Sequence, residues 1–187
     1  MIKNRTDLKY YLRKDFEAQK MESPLLAKFS FGENYAMYRY MKNLRYLEFY
    51  KNNKNGNLWY VLLYAYHLLK YRRYCLKYQI HIEPNTVGYG FAMIHPGFRR
   101  VGYSMRIGNN CTILPNVLLG RKSPNISEDN LIVEIGDDCY LGAGCLIMGP
   151  VKIGNNVTIG AGSVVTKDFP DNVVIAGCPA KIIKYKV

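Results

Sequence analysis

The sequence predicts a mainly β chain, a triangular coil of six-residue repeats behind an α-helical N-terminal region. Three observations carry this. Aliphatic residues recur every six positions from Ile107 onward, Gly follows most of them, and residues 1–78 show neither feature. Ile107, Ile113 and Leu119 lie six apart, and after an interruption Ile135, Leu141, Ile147, Ile153, Ile159 and Val165 resume the same step. Upstream, Val87-Gly88 and Met93 fit it too. Self-similarity at a fixed short period is the signature of a solenoid.

Each unit reads as a short strand plus a turn, with its aliphatic residue pointing inward. The Gly that follows (Gly108, Gly120, Gly136, Gly142, Gly154, Gly160) suits a corner where a Cβ would be crowded. Asn109-Asn110, Asp137-Asp138 and Asn155-Asn156 supply residues that tolerate left-handed backbone. Three units make one triangular coil, and stacking coils buries an aliphatic column that a single coil would leave wet. Cys111, Cys139 and Cys145 each stand two residues before an anchor, an offset shared by Val117, Val151, Val157 and Ser163. The position takes a small inward-packing side chain, and free Cys serves there as a small hydrophobe. The register breaks at residues 121–134, RKSPNISEDNLIVE. A polar loop ejected from a regular solenoid is either a functional loop or a simple insertion.

The first 78 residues contain two glycines, Gly32 and Gly56. Thr6 or Asp7 is the expected cap of a helix running to about Lys20, a second helix is expected over Glu33–Lys51, and a third over Asn57–Tyr78 after the Asn55-Gly56 breaker. Leu58, Leu62, Leu69 and Leu76 recur at steps of four or seven and so share one face of the third. The expected division is residues 1–78, helical, and 79–187, β-helix.

With 49% hydrophobic and 21% charged residues, wholesale disorder is excluded. The net charge of +12 suits a polyanion (nucleic acid, an anionic membrane surface, a phosphorylated ligand) or simply a solubilising surface. None of the five cysteines forms a C-x-x-C pair, which removes zinc-ribbon and dithiol motifs. Residues 1–20 are charged throughout, unlike a signal peptide, and the longest apolar stretch, Leu58–Leu69, is too short to span a bilayer. The expectation is a cytoplasmic chain with reduced thiols and no integral membrane segment.

Four blocks carry a resemblance to a known family: NTVGYGFAMIHPG (85–97), RIGNNCTILPNVLLG (106–120), VEIGDDCYLGAGCLIMGPVKIGNNVTIGAGSVVTKDFP (133–170) and IAGCPAKII (175–183). Residues 80–187 resemble the hexapeptide-repeat acyltransferases, specifically their serine acetyltransferase-like branch. The resemblance implies a left-handed parallel β-helix, a homotrimer, and acetyl-CoA bound as acetyl donor in a groove between neighbouring subunits. Cys178 replaces the Val common in the closing segment and reads as another small hydrophobe.

His95, in FAMIHPG, falls where these enzymes place their catalytic His. An alcohol is a weak nucleophile at neutral pH, and a neutral imidazole can take its proton as it attacks a thioester. The resemblance further implies cofactor contacts at Gly120, Gly142, Ala143, Gly160, Ala161 and Lys181, with small residues letting the pantetheine arm approach and Lys181 meeting CoA phosphates. The glycines also have a purely structural reading, as corners.

This chain departs from the family around the acceptor. The Asp that precedes the catalytic His is here Ile94, the upstream orienting Asp aligns with His81, and the loop His and Arg that meet an amino-acid acceptor are missing around Ile132. Arg121 and Lys122 are the cations of that loop, and Phe98 and Tyr103 offer an apolar face near His95. Glu83, two residues beyond His81, is the candidate to orient His95, although a backbone carbonyl can also select the tautomer. The altered acceptor side resembles enzymes of surface-polysaccharide synthesis, which makes a sugar hydroxyl the expected acceptor and L-serine the alternative. No metal is expected, since zinc catalysis needs three convergent ligands and His81 and His95 supply two, with His67 in the helical part. No nucleic-acid partner is expected either. KYRRYCLKY (70–78) mixes cations and aromatics as single-strand binders do, but it lies on a helix.

Overall fold

The computed structural model describes residues 1–20, 32–125 and 132–186. Among the described residues, three helices precede fourteen strands: α1 (Arg5–Ala18), α2 (Glu33–Asn53), α3 (Leu58–Tyr78), then β1 (Ile80–Ile82), β2 (Ala92–Met93), β3 (Arg99–Val101), β4 (Met105–Ile107), β5 (Thr112–Ile113), β6 (Val117–Arg121), β7 (Val133–Ile135), β8 (Tyr140–Leu141), β9 (Leu146–Gly149), β10 (Val151–Ile153), β11 (Thr158–Ile159), β12 (Val164–Val165), β13 (Val173–Gly177) and β14 (Ala180–Tyr185). Helix α1 is capped by Asn4 rather than Thr6 or Asp7. Asp7 instead takes the third helical position of a capping box, its carboxylate accepting from the Asn4 N–H while Asn4 accepts from the Asp7 N–H. Asn57 caps α3 by accepting from the Tyr60 N–H.

The strands form the three walls of a triangular prism. One wall is β1-β3-β6-β9-β12, the second β4-β7-β10, the third β2-β5-β8-β11-β13-β14. All pairings are parallel except β13 with β14, which closes the C-terminal end as a hairpin. The six-residue anchors fill the prism: Ile113, Leu141, Ile147 and Ile159 are fully buried, as are Cys111 and Cys145. Burial drives the Cys145 thiol up to about 12, so it is inert packing. Cys178 departs from the sequence expectation and is exposed.

The corners explain the Gly-Asn/Asp pairs in detail. A Cβ on Gly108 would lie 2.6 Å from the Gly136 backbone, and one on Gly136 2.8 Å from the Gly154 backbone, so crowding by the next coil, not a special φ, demands glycine there. The following side chains form a ladder: the N–H groups of Asn109, Asp137 and Asn155 donate to Asp137, Asn155 and Asp171 at 2.7, 2.8 and 2.7 Å. The second residue of each pair takes the left-handed conformation, Asn110 at φ 54°, Asp138 at 58° and Asn156 at 53°.

A solenoid leaves its first coil with unpaired backbone groups, and an uncovered strand edge invites aggregation. Here helical side chains close it. The Tyr40 hydroxyl donates to the Ile80 carbonyl and accepts from the Ile82 N–H, both at 3.2 Å, and Tyr71 donates to the Ile82 carbonyl at 3.0 Å. Gln19 pairs with both backbone groups of Met93 at 3.0 Å, and Asp15 accepts from the Phe91 N–H at 3.1 Å. Arg45, fully buried, bonds Asp15 at 2.8 Å and Glu48 at 3.0 Å and donates to the carbonyls of Val87 and Gly88. Breaking such a buried network by removing one partner costs about 3–5 kcal/mol. Tyr40 and Tyr71 thus cap the first coil from the helical layer.

Candidate active site

His95 occupies the turn that follows β2. Extending the strand registers by two residues places His95, Pro115, Ala143, Ala161 and Gly177 one above another along a single corner, between the β2 wall and the β3 wall. The bonds from the N–H groups of Ile94, Leu114, Gly142 and Gly160 to the carbonyls of Ile113, Leu141, Ile159 and Ile175 carry that alignment past the strand ends. With coils about 4.8 Å apart, this ridge runs roughly 19 Å from His95 to Gly177. Lys181 pairs with Ala176 in β14, beside its far end. Pro115 and small residues thus lead from the imidazole to a cation.

Of the cofactor candidates, Ala143 and Ala161 lie on this ridge, Gly142 and Gly160 directly precede them, and Gly120 lies off it in β6, paired with Met148. Ala161 and Lys181 are exposed, and Gly120, Ala143 and Gly160 are partly so. Gly142 is buried, and a Cβ there would lie 2.6 Å from the Ile159 carbonyl oxygen, so it serves coil stacking.

The His95 side chain is 66% exposed, and its Nδ1 lies 2.7 Å from a carboxylate oxygen of Glu33, in the first turn of α2. Glu33 thus fills the place expected of Glu83. Glu83 follows β1 on a different wall, its carboxylate accepts from the Tyr103 hydroxyl, and Lys51 lies 5.8 Å from the Tyr103 ring centroid. The Glu83 interaction raises the Tyr103 hydroxyl above its ordinary value. Tyr103 therefore belongs with His81 and Glu83, which line a cleft of about 450 Å³ that does not include His95, while Phe98 stays on the His95 turn.

The backbone of His95 is left-handed, at φ 60°, which is costly for a non-glycine residue. Arg99 holds it there. Fully buried, Arg99 donates to the carbonyls of His95 at 2.8 Å, Gly97 at 3.1 Å and Ile113 at 3.3 Å, and also to that of Ile94. Its Nε has no partner among the described residues, and burial lowers the guanidinium to about 10, still charged at neutral pH. A buried cation is here satisfied by carbonyl dipoles of the turn that carries the imidazole.

Sequence reasoning missed Glu33 and Arg99. Arg99 left a trace, since it alternates with Val101 at an inward strand position where the repeats elsewhere place aliphatics. Glu33, 62 residues from His95, left none. His67 Nδ1 donates to the Asn43 side-chain oxygen at 2.9 Å and the ring stacks on Tyr46 and Tyr50, and burial lowers it to about 4. It is a packing residue. Of the interrupted loop, residues 126–131 lie outside the described residues. Ile132 is buried, its N–H donating to the Ser104 carbonyl.

The stacked triangular coils make a parallel β-helix, with the His95 imidazole at one corner. The family pattern "Bacterial transferase hexapeptide (six repeats)" matches residues 132–167. A serine acetyltransferase of Buchnera aphidicola (subsp. Acyrthosiphon pisum) is 30% identical over 178 residues, which is 95% of this chain and 59% of that relative. The galactoside O-acetyltransferase of Escherichia coli (strain K12) is 38% identical over 90 residues, 44% of each chain. The crystal structure of Neisseria gonorrhoeae serine acetyltransferase superposes with a TM-score of 0.69 at 27% identity, covering 97% of this chain and 67% of that one. The chain thus spans 59% of the length of the Buchnera relative it matches. It is similar to the hexapeptide-repeat acyltransferases of the serine acetyltransferase-like branch and shares their left-handed parallel β-helix fold.

Proposed function

We propose that the chain is an acetyl-CoA-dependent O-acetyltransferase with His95 as general base. The observation that carries this is the His95–Glu33 pair at the head of the small-residue ridge. A carboxylate on Nδ1 fixes the tautomer that donates to Glu33, leaving the Nε2 lone pair for the acceptor. As the acceptor hydroxyl attacks the thioester carbonyl, Nε2 takes its proton. Backbone N–H groups stabilise the tetrahedral oxyanion, and its collapse expels the CoA thiolate, which the imidazolium reprotonates. No covalent enzyme intermediate is needed. Ala143, Ala161 and partly exposed Gly160 leave room for the pantetheine arm, and Lys181 meets phosphate.

Exposure of His95 supports a second wall from another copy. The outer row of the β1-β3-β6-β9-β12 wall runs His81, Arg100, Leu118, Leu146 and Val164 and is aliphatic over its last three strands, whereas the β4-β7-β10 wall shows Arg106, Glu134 and Lys152. An aliphatic row suits a subunit contact and a charged row suits water, which supports a homotrimer.

Two observations support L-serine as the acceptor: the serine acetyltransferase likeness runs along 95% of the chain, and Glu33 supplies a carboxylate beside His95 that the sequence lacked at Ile94. A sugar hydroxyl is the second reading, supported by the apolar Ile94 and by the buried Ile132 where an amino-acid carboxylate would want a cation. CoA release from acetyl-CoA, followed with L-serine and with galactosides, tests both. His95→Ala lowers turnover at least about a hundredfold while acetyl-CoA affinity changes little. Retention of most activity by that variant would remove His95 from the chemistry.

A further inference from the structure

Helix α3 turns Tyr71 and Cys75 toward the core and leaves its opposite side uncovered by any described residue. On that side Leu58, Trp59, Leu62, Leu69 and Leu76 are each at least 52% exposed. Leu58, Leu62, Leu69 and Leu76 fall within about 40° of one another on a helical wheel of 3.6 residues per turn. The leucine face read from the sequence therefore exists, but it looks outward. Exposed apolar patches on this scale mark contact surfaces.

The charges on the helix are one-sided. Residues 58–69 contain no Asp, Glu, Lys or Arg, and residues 70–78 add Lys70, Arg72, Arg73 and Lys77 with no acid. Tyr66, Leu69, Lys70, Arg73, Tyr74 and Lys77 line an open hollow of about 670 Å³ that has cations, aromatic rings and no carboxylate. We infer that this face of α3 docks on an anionic lipid bilayer, the leucines and Trp59 entering the acyl boundary and the hollow taking phosphate headgroups.

The composition selects this occupant. An amphipathic helix with Trp and Leu on the apolar side and cations beside them lies in the interfacial plane and is drawn to anionic lipid. A second copy docked face to face across a two-fold axis would set Arg72, Arg73 and Lys77 against the same cations, in a chain of net charge +12. A nucleic acid would use the cations and tyrosines but leave Leu58, Leu62 and Leu76 in water. Spanning is excluded for this helix, because among the described residues none is long and apolar enough to cross a membrane.

The test is co-sedimentation of the full chain with vesicles of phosphatidylcholine alone and of phosphatidylcholine with phosphatidylglycerol. Binding is expected only with the anionic lipid and is expected to weaken as salt rises. The triple variant Arg72→Glu/Arg73→Glu/Lys77→Glu should lower partitioning on the order of a hundredfold, and Trp59→Ser/Leu62→Ser/Leu69→Ser at least about tenfold. All six side chains lie at the surface, so unchanged circular dichroism and thermal midpoint confirm that the fold survives. Equal binding to both vesicle types, no binding, or full binding by the serine variant would overturn the inference. So would an oligomer that dissociates in the serine variant without vesicle binding, or retention of a single-stranded oligonucleotide in place of vesicles. None of these readouts involves acetyl transfer, so the proposed activity stands or falls separately.

Discussion

Glu33→Gln is the substitution that most directly probes the proposed site. The 2.7 Å contact to His95 Nδ1 is nearly isosteric in the glutamine variant, so what is removed is charge. In the resting enzyme that charge contributes little, because both side chains are at least 60% exposed and exposed pairs contribute about 0–1 kcal/mol. The position changes when His95 takes the acceptor proton and becomes imidazolium. Two unit charges about 4 Å apart attract by about 1 kcal/mol in bulk water and about 4 kcal/mol at the effective dielectric near a protein surface. Once acetyl-CoA and a neighbouring subunit cover the ridge, a middle value of about 2 kcal/mol is expected, which corresponds to roughly thirtyfold in kcat. Glu33→Gln should therefore lose about that factor in thiol release under saturating substrates, with the KM for acetyl-CoA unchanged. Glu83→Gln, which touches Tyr103, should stay within about twofold. If Glu33→Gln retains more than half of kcat, or if the Glu83 variant falls as far, Glu33 does not orient the base.

Three further outcomes follow from the same geometry. Arg99→Met strands the carbonyls of Ile94, His95 and Gly97 and should lower both stability, by about 3 kcal/mol or more, and kcat, while Arg99→Lys restores part of each with the KM for acetyl-CoA held. Equal kcat in all three proteins would make Arg99 a packing residue only. Ala161→Gln, at an exposed point of the ridge, should raise the KM for acetyl-CoA about tenfold or more without moving the thermal midpoint, and an unchanged KM would take the pantetheine arm off this ridge. His67, lowered by burial to about 4, stays neutral in the fold while the unfolded chain takes up its proton below about 6.5; the stability it contributes is therefore complete above 6.5 and is lost as pH falls toward 4. Because the ring is only half buried, the loss is put at about 1–2 kcal/mol after solvent screening. His67→Phe, which keeps the stacked ring and cannot titrate, should flatten the fall in thermal midpoint between pH 7 and 4.5, and parallel curves would refute the assignment.

What the sequence made legible was whatever repeats locally. Each anchor, each corner glycine and each Asn/Asp pair is specified within six residues, so the walls of the prism and the inward cysteines could be read without a partner in view. The left-handed residue of each pair could also be anticipated, since Asn110, Asp138 and Asn156 are the types that tolerate it. Contacts across the two halves were not legible. Glu33 reaches His95 from a helix, and no period or motif links the two. From the sequence alone the candidate orienting carboxylate is therefore Glu83, within the β region, which sits on another wall. Periodicity also placed Leu58, Leu62, Leu69 and Leu76 on one face of α3 but could not say that Tyr71 and Cys75 take the core side. Helix faces compete for the same core, and the winner depends on the neighbouring helix.

The helical layer and the site are coupled by the same physical need. A solenoid's first coil has no predecessor, so β1 and β2 must find partners for backbone groups that every later coil satisfies on its neighbour. Tyr40, Tyr71, Gln19, Asp15 and Arg45 supply them. The Gln19 amide does so at Met93, two residues before His95, where it pairs with both backbone groups as a strand would. Once the helices are fixed against this edge by buried hydrogen bonds, the first turn of α2 lies over the corner, and a carboxylate there meets the imidazole. The proposed base, His95, is thus well placed on the first coil: coils on one side provide a regular ridge, and the capping layer on the other provides Glu33. The same His in the middle of the stack would have coil backbone on both sides and no helix from which a carboxylate could reach it.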